Sequence, residues 1–247
     1  MLSVRSIQRA AIGAAATLVA GTVGAVGASA AEAPAQAAAC GVMFDDFHYD
    51  SAADPDLAAH GWTVRTSRGG PGVPGASWLA SNVSFPANDG ERVLQLRLAT
   101  DGTAAGTSQA ELYHQRKFAD GTYAARVRFS DAPASGGDGD HVVQTFFTIT
   151  PLEAPLDPDY GELDFEYLPN GGWGVSGPIL YQVTWETYQG DPWIADNISN
   201  SQSTSHDGWH DLVIQVAGGA RGGVVKYFVD GQRVAQHTGR DYPETPM

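Results

Sequence analysis

The sequence predicts an all-β fold, a sandwich of two packed antiparallel sheets. Three observations carry this. From Val42 onward, short apolar or alternating runs follow one another, and helical periodicity is confined to residues 54–60 (DPDLAAH). Gly and Pro, 30 and 14 residues, gather between those runs, notably at 69–75, 101–108, 134–140 and 218–223. About 200 residues of short strands cannot bury their apolar faces in one layer, so two sheets must close on each other.

The first 30 residues precede this pattern and read as an export signal. Arg5 and Arg9 supply the positive start, residues 10–26 are apolar and uncharged, and Ala28-Ser29-Ala30 is an A-x-A cleavage site. The apolar stretch has neither a leucine-rich core of roughly 20 residues nor a charged stop-transfer flank, so no membrane span is expected. Residues 31–41 read as a flexible spacer, and 42–247 as one domain. The single cysteine, Cys40, rules out an intrachain disulfide framework and a Cys-rich zinc site. The branched apolar residue expected before a lipoprotein cysteine is missing there.

Within the domain the elements follow in order. Residues 93–98 alternate, as do 123–129, where Tyr123, Ala125, Val127 and Phe129 share one face and Ala124, Arg126 and Arg128 the other. Residues 141–150 (HVVQTFFTIT) are β-branched and aromatic, the composition of a central strand. Residues 212–216 form another strand. Residues 224–229 and 232–235 flank Asp230-Gly231, which supplies the positive φ angles of a type I′ hairpin turn.

Charge narrows the function classes. Against 28 acidic residues there are 14 basic ones, for a net charge of −14, and the basic ones are scattered. Nucleic acid and anionic membrane surfaces are poor partners for such a chain. A neutral ligand such as a sugar fits it. The seven His form no metal-ligand set: His206 and His210 stand four apart with no third ligand near.

The informative segment is YGELDFEYL, residues 160–168. Residues two apart in a strand share a face, so Glu162, Asp164 and Glu166 project together while Leu163, Phe165 and Tyr167 enter the core. The apolar side fixes the register, because a one-residue slip would bury three carboxylates. Crowded, half-buried carboxyls raise one another's pKa, so one can hold a proton while another is ionised. An acid beside a nucleophile or base is what glycosidic bond cleavage requires, and retaining enzymes hold the two carboxyls about 5–5.5 Å apart. Cα atoms four apart on a flat strand lie about 13 Å apart, so a curved sheet and leaning side chains must close the gap. A solvated strand face or a Ca²⁺ cage are the alternatives, the latter disfavoured because a strand lines ligands up rather than wrapping an ion.

This segment resembles the active-site strand of glycoside hydrolase family 16, in its shorter, unbulged E-x-D-x-E form, which is similar to the lichenase and xyloglucan-transglycosylase branches. Further segments resemble the family in the expected order: Phe44-Asp45-Asp46-Phe47 its opening strand, residues 109–115 and 121–128 its GEYRS and GxYEVRxK runs, and Trp209-His210 with residues 227–231 its WHTY and WYVDG stretches. The resemblance implies a concanavalin A-like jelly roll and a retaining double displacement, with Glu162 as nucleophile, Asp164 as assisting residue and Glu166 as acid/base. It implies no cofactor for catalysis and leaves room for a structural calcium ion. In the family, a stretch like 242–246 (YPETP) leads into another cleft strand, so the chain ending at Met247 reads as truncated at its C-terminus.

Substrate-binding candidates follow from the same likeness. Glu111 and Tyr113 share one face of a strand that resembles a cleft strand; a structural alternative pairs Glu111 with Arg126 or Arg128. Gln182, Thr184 and Glu186 share a strand face that the resemblance places in the cleft, which puts Trp185 in the core. Trp173, in a Gly-rich loop, and Trp193, after Asp191-Pro192, are loop aromatics able to stack on a sugar. The expected function is a secreted, monomeric, endo-acting hydrolase of a β-linked polysaccharide; the alternatives are a transglycosylase using the same residues and a non-catalytic carbohydrate-binding sandwich.

Overall fold

The computed structural model describes residues 41–70, 72–218, 223–239 and 245–247, together with the backbone of a short strand at Leu2–Arg5. The export segment expected over residues 1–30 otherwise lies outside the described residues, as do Cys40, almost all of the spacer, most of the 218–223 turn and residues 242–244.

Two antiparallel sheets carry the fold. The larger runs Gln232–Gly239, Gly223–Val229, Gly208–Ala217, Gly121–Phe129, Leu2–Arg5, Leu94–Leu96 and Val83–Ser84, in that spatial order. The smaller runs Gln144–Ile149, Glu162–Leu168, Ile179–Gln189 and Ile194–Gln202. The strands expected around 93–98, 123–129, 141–150 and 212–216 are all present. The hairpin turn also forms as expected, with φ of 52° at Asp230 and 79° at Gly231. Helix is confined, among the described residues, to Pro55–Ala59 and one 3₁₀ turn; Asp54 caps the former by accepting the Asp56 N–H at 3.0 Å.

The main core lies between the sheets. Val127 and Phe129, Leu212 and Ile214, and Tyr227 from the larger sheet meet Leu163, Phe165, Tyr167 and Leu180 from the smaller. Phe165 and Tyr227 cross the gap edge to face, with ring centroids 5.3 Å apart. Full burial of a side chain such as Phe165 stabilises by about 1.5–3 kcal/mol, and three such residues on one short strand fix its facing. A second cluster, with Phe47, Tyr49, Leu57 and Phe85, seats the helix.

One expected element is absent. Residues 44–47 form no strand. The Asp45 carboxylate instead organises the segment, accepting the Phe47 N–H at 2.7 Å, the Trp62 indole N–H at 2.7 Å and the Tyr49 hydroxyl. Phe47 takes a left-handed φ of 58°, so the local hydrogen bonds to one carboxylate have displaced an extended backbone.

Candidate active site

The smaller sheet sets the site. Glu162–Leu168 is bonded on both sides, to Gln144–Ile149 and to Ile179–Gln189. The register pairs Glu162 with Ile149 and Trp185, Asp164 with Phe147 and Val183, and Glu166 with Thr145 and Tyr181. Directly paired residues stand on one face, so these nine side chains share the outer face while Leu163, Phe165 and Tyr167 pack inward. The three carboxylates therefore lie in a row, as their spacing predicts.

This outer face is walled rather than washed. Asp164 is 3 % exposed, and Glu162 and Glu166 are half-buried. The buried Tyr160 donates its hydroxyl proton to Oε2 of Glu162. Asp164 interacts with Glu162, and the Trp185 indole opposes part of the rise in its pKa. Its Oδ2 is buried with no donor. A bare anionic oxygen there would be costly, so burial favours the protonated carboxyl.

The electrostatics agree. Burial raises the Glu162 pKa; the bonds from Tyr160 and Asp164 pull it back, and the charge of Glu111 adds to the rise. Burial, then the charges of Glu162 and Glu166, push Asp164 well above the ordinary carboxylate range. Burial and the Glu162 charge push Glu166 up to about 7. All three carboxyls are thus raised, Asp164 well above the ordinary range and Glu166 to about 7, while two hydrogen bonds hold back the rise of Glu162.

Aromatic side chains stand at both ends of the row. Trp173, 65 % exposed, lies 5.6 Å from the ring of Tyr181, beside Glu166. Its loop turns on Gly171, at φ +72°, where a Cβ would come within 2.3 Å of the Val175 carbonyl oxygen. At the Glu162 end, Trp193 is 64 % exposed and meets Tyr188 at 5.8 Å and Trp185 at 6.3 Å. Glu111 is bound by Arg65 at 2.6 Å, and the Arg65 guanidinium lies 4.1 Å over the Trp78 ring. The expected alternative partners do not serve Glu111: Arg126 reaches Asp211 instead. Tyr113 is exposed, two residues along from Glu111.

Three expectations on Ile179–Gln189 are corrected. Gln182 and Thr184 are fully buried between the sheets, not in a cleft. They pair with Phe165 and Leu163 and so face inward with them. Thr184 bonds the Tyr227 hydroxyl and His237 Nδ1, each at 2.8 Å, and Gln182 donates to the Leu180 carbonyl oxygen at 3.2 Å. Trp185, expected in the core, stands opposite Glu162 on the outer face. Glu186 falls where the register shifts between Trp185 and Thr187, so alternation does not carry it to the face of Gln182 and Thr184.

Sequence reasoning missed Tyr160, Tyr181, Tyr188, Phe147 and Arg65. Phe147 and Tyr181 join the row through a register that pairs them with Asp164 and Glu166, which no periodicity in the sequence reveals. A cavity of about 660 Å³ opens elsewhere, among the 41–49 segment, His60, Trp62, Lys117 and Phe118, and none of the acidic row lines it. Among the described residues no group of three or more His, Cys, Asp or Glu is placed to hold a metal ion.

Compared by sequence with family models and with curated proteins, the chain matches none. By structure it is similar to the endo-1,3-beta-glucanase from Streptomyces sioyaensis, with a TM-score of 0.57 and 19 % sequence identity over 85 % of this chain and 80 % of that one. The all-β sandwich expected from the sequence is accordingly of the jelly-roll kind.

Proposed function

We propose that this chain is a retaining, endo-acting glycoside hydrolase of the family 16 type, secreted and monomeric, acting on a β-linked glucan. One observation carries the reading: three carboxyls share one walled strand face, and burial and hydrogen bonding raise them unequally. The fold likeness to an endo-1,3-beta-glucanase supports the class and makes β-1,3-glucan the first substrate to try.

In this mechanism Glu162 attacks the anomeric carbon while Glu166 protonates the departing glycosidic oxygen, leaving a glycosyl ester on Glu162. Esterification removes the Glu162 charge, one of the two causes that raise Glu166. Glu166 then becomes the stronger acid and, ionised, takes a proton from the water that cleaves the ester. Asp164, neutral, donates to Glu162 in the resting state and steadies the charge that returns to it. The side chains carry the whole reaction, with no cofactor. Trp173 and Trp193 offer stacking faces for sugar rings on either side.

The test is reducing-sugar release from a panel of β-glucans, xyloglucan and galactans. Glu162→Gln should lose turnover while still binding the glucan that the unaltered protein cleaves. Undiminished turnover in that variant would end the reading.

A further inference from the structure

We propose that Tyr160 is a positioning residue for Glu162: its hydroxyl, on a backbone pinned from both sides, donates to Oε2 and fixes the aim of the nucleophilic carboxylate. The proposal rests on the hydrolase reading above and adds a residue to it that the sequence motif does not contain.

The geometry leaves the phenol little freedom. Tyr160 is buried, and its ring stands edge-on to Tyr188 with centroids 5.3 Å apart. Its N–H donates to the Asp157 carbonyl oxygen at 3.4 Å. The buried Asp157 carboxylate in turn accepts the Glu153 and Asp159 N–H groups at 2.9 and 3.0 Å, which closes the loop that delivers Tyr160. On the other side, Gly161 donates its N–H to Thr150 Oγ1 at 2.8 Å, and its carbonyl oxygen accepts the Thr150 N–H at 2.9 Å. A buried phenol needs a partner, and this backbone allows it the Glu162 carboxylate.

The consequence is electrostatic as well as geometric. Tyr160 is itself pushed far above its usual range by burial and by the Glu162 charge, so it remains a donor throughout the working range. Glu162 also meets Asp164 and Glu166 on its own strand, Tyr188 from the neighbouring one, and the charge of Glu111, which Arg65 pairs. Among the groups around it, hydrogen bonds with Tyr160 and Asp164 lower its pKa. A hydrogen bond to the charged form favours that form, so losing the Tyr160 bond makes Glu162 a weaker acid.

The experiment is the pH dependence of kcat/KM for Tyr160→Phe, which keeps the ring and removes only the hydroxyl. The acid limb should move to higher pH by about one unit, the equivalent of a tenfold change. kcat at the optimum should fall at least tenfold, with KM within about threefold of the unaltered protein. An unmoved acid limb with kcat within twofold would overturn the proposal. Glu162→Gln in the same assay separates the two readings: if it stays active the hydrolase assignment falls, and if it is dead while Tyr160→Phe is unshifted only the role of Tyr160 falls. Should Tyr160→Phe not fold, 3-fluorotyrosine at position 160 replaces it. Its more acidic hydroxyl should move the acid limb the other way, to lower pH, and a limb that stays in place overturns the proposal.

Discussion

Replacing Thr184 with valine tests the inward facing of its strand, because the two possible facings predict opposite results. Thr184 is fully buried, and valine conserves its shape, so no cavity opens. The hydroxyl lost is bonded to the Tyr227 hydroxyl and to His237 Nδ1, each at 2.8 Å. Tyr227 keeps a second partner, the Val183 carbonyl oxygen at 2.5 Å, and His237 Nε2 keeps Asn200 Oδ1 at 2.9 Å. His237 Nδ1 is left against a methyl group. One lost hydrogen bond of about 1 kcal/mol and a stranded buried nitrogen at about 1–3 kcal/mol give about 3 kcal/mol of destabilisation. For a domain of this size that lowers Tm by roughly 6–12 °C. Urea unfolding at pH 7.5 measures it. A Thr184→Val, His237→Leu double variant should cost about 1–2 kcal/mol less than the sum of its parts, since neither partner is then left alone. A Thr184→Val protein with unchanged stability but weakened glucan binding would put the residue in the cleft and refute the register argument.

Other predictions follow from the acidic row and the exposed rings. Glu166 sits at about 7 in the folded chain against 4.5 in the unfolded one, so ionising it costs stability as pH rises between those values. Glu166→Gln should therefore gain about 3 kcal/mol over the unaltered protein at pH 8 and nothing near pH 4, read as the difference in urea midpoints; equal gains at both pH values would contradict the shift. The same group places the basic limb of the activity profile near pH 7, and a limb two units higher would remove Glu166 as the acid. Trp173→Ala and Trp193→Ala should each weaken glucan binding about tenfold, about 1.4 kcal/mol, without lowering Tm, because both rings are largely exposed. Calorimetric titration with an oligosaccharide checks this, and unchanged affinity in both would leave the stacking faces without a role.

The legible part of the fold was the part where one face of a strand is apolar throughout. Leu163, Phe165 and Tyr167 could only be core, which put Glu162, Asp164 and Glu166 outside, and the structure places them so. The Ile179–Gln189 strand defeated the same rule because both of its faces are mixed. Its inward face carries Gln182 and Thr184, made tolerable by hydrogen bonds to Leu180, Tyr227 and His237 that come from distant sequence or the strand itself. Its outward face carries Tyr181, Val183 and Trp185, apolar enough to pass for core. Tyr160 was invisible for another reason: whether a tyrosine hydroxyl meets a carboxylate depends on a loop whose closure by Asp157 no periodicity reveals. Phe44 to Phe47 failed in the opposite sense, an apparent strand undone by one aspartate that could satisfy three donors at once.

The position of the acidic strand within its sheet has an evolutionary corollary. Flanked on both sides by paired neighbours, it cannot fray, slide or be re-aimed by events at the sheet margin. Trp173 and Trp193, by contrast, hang from connecting segments, which tolerate insertion and deletion. Selection can thus alter what these rings meet, lengthening one connection or exchanging one ring, while the row of carboxyls stays untouched.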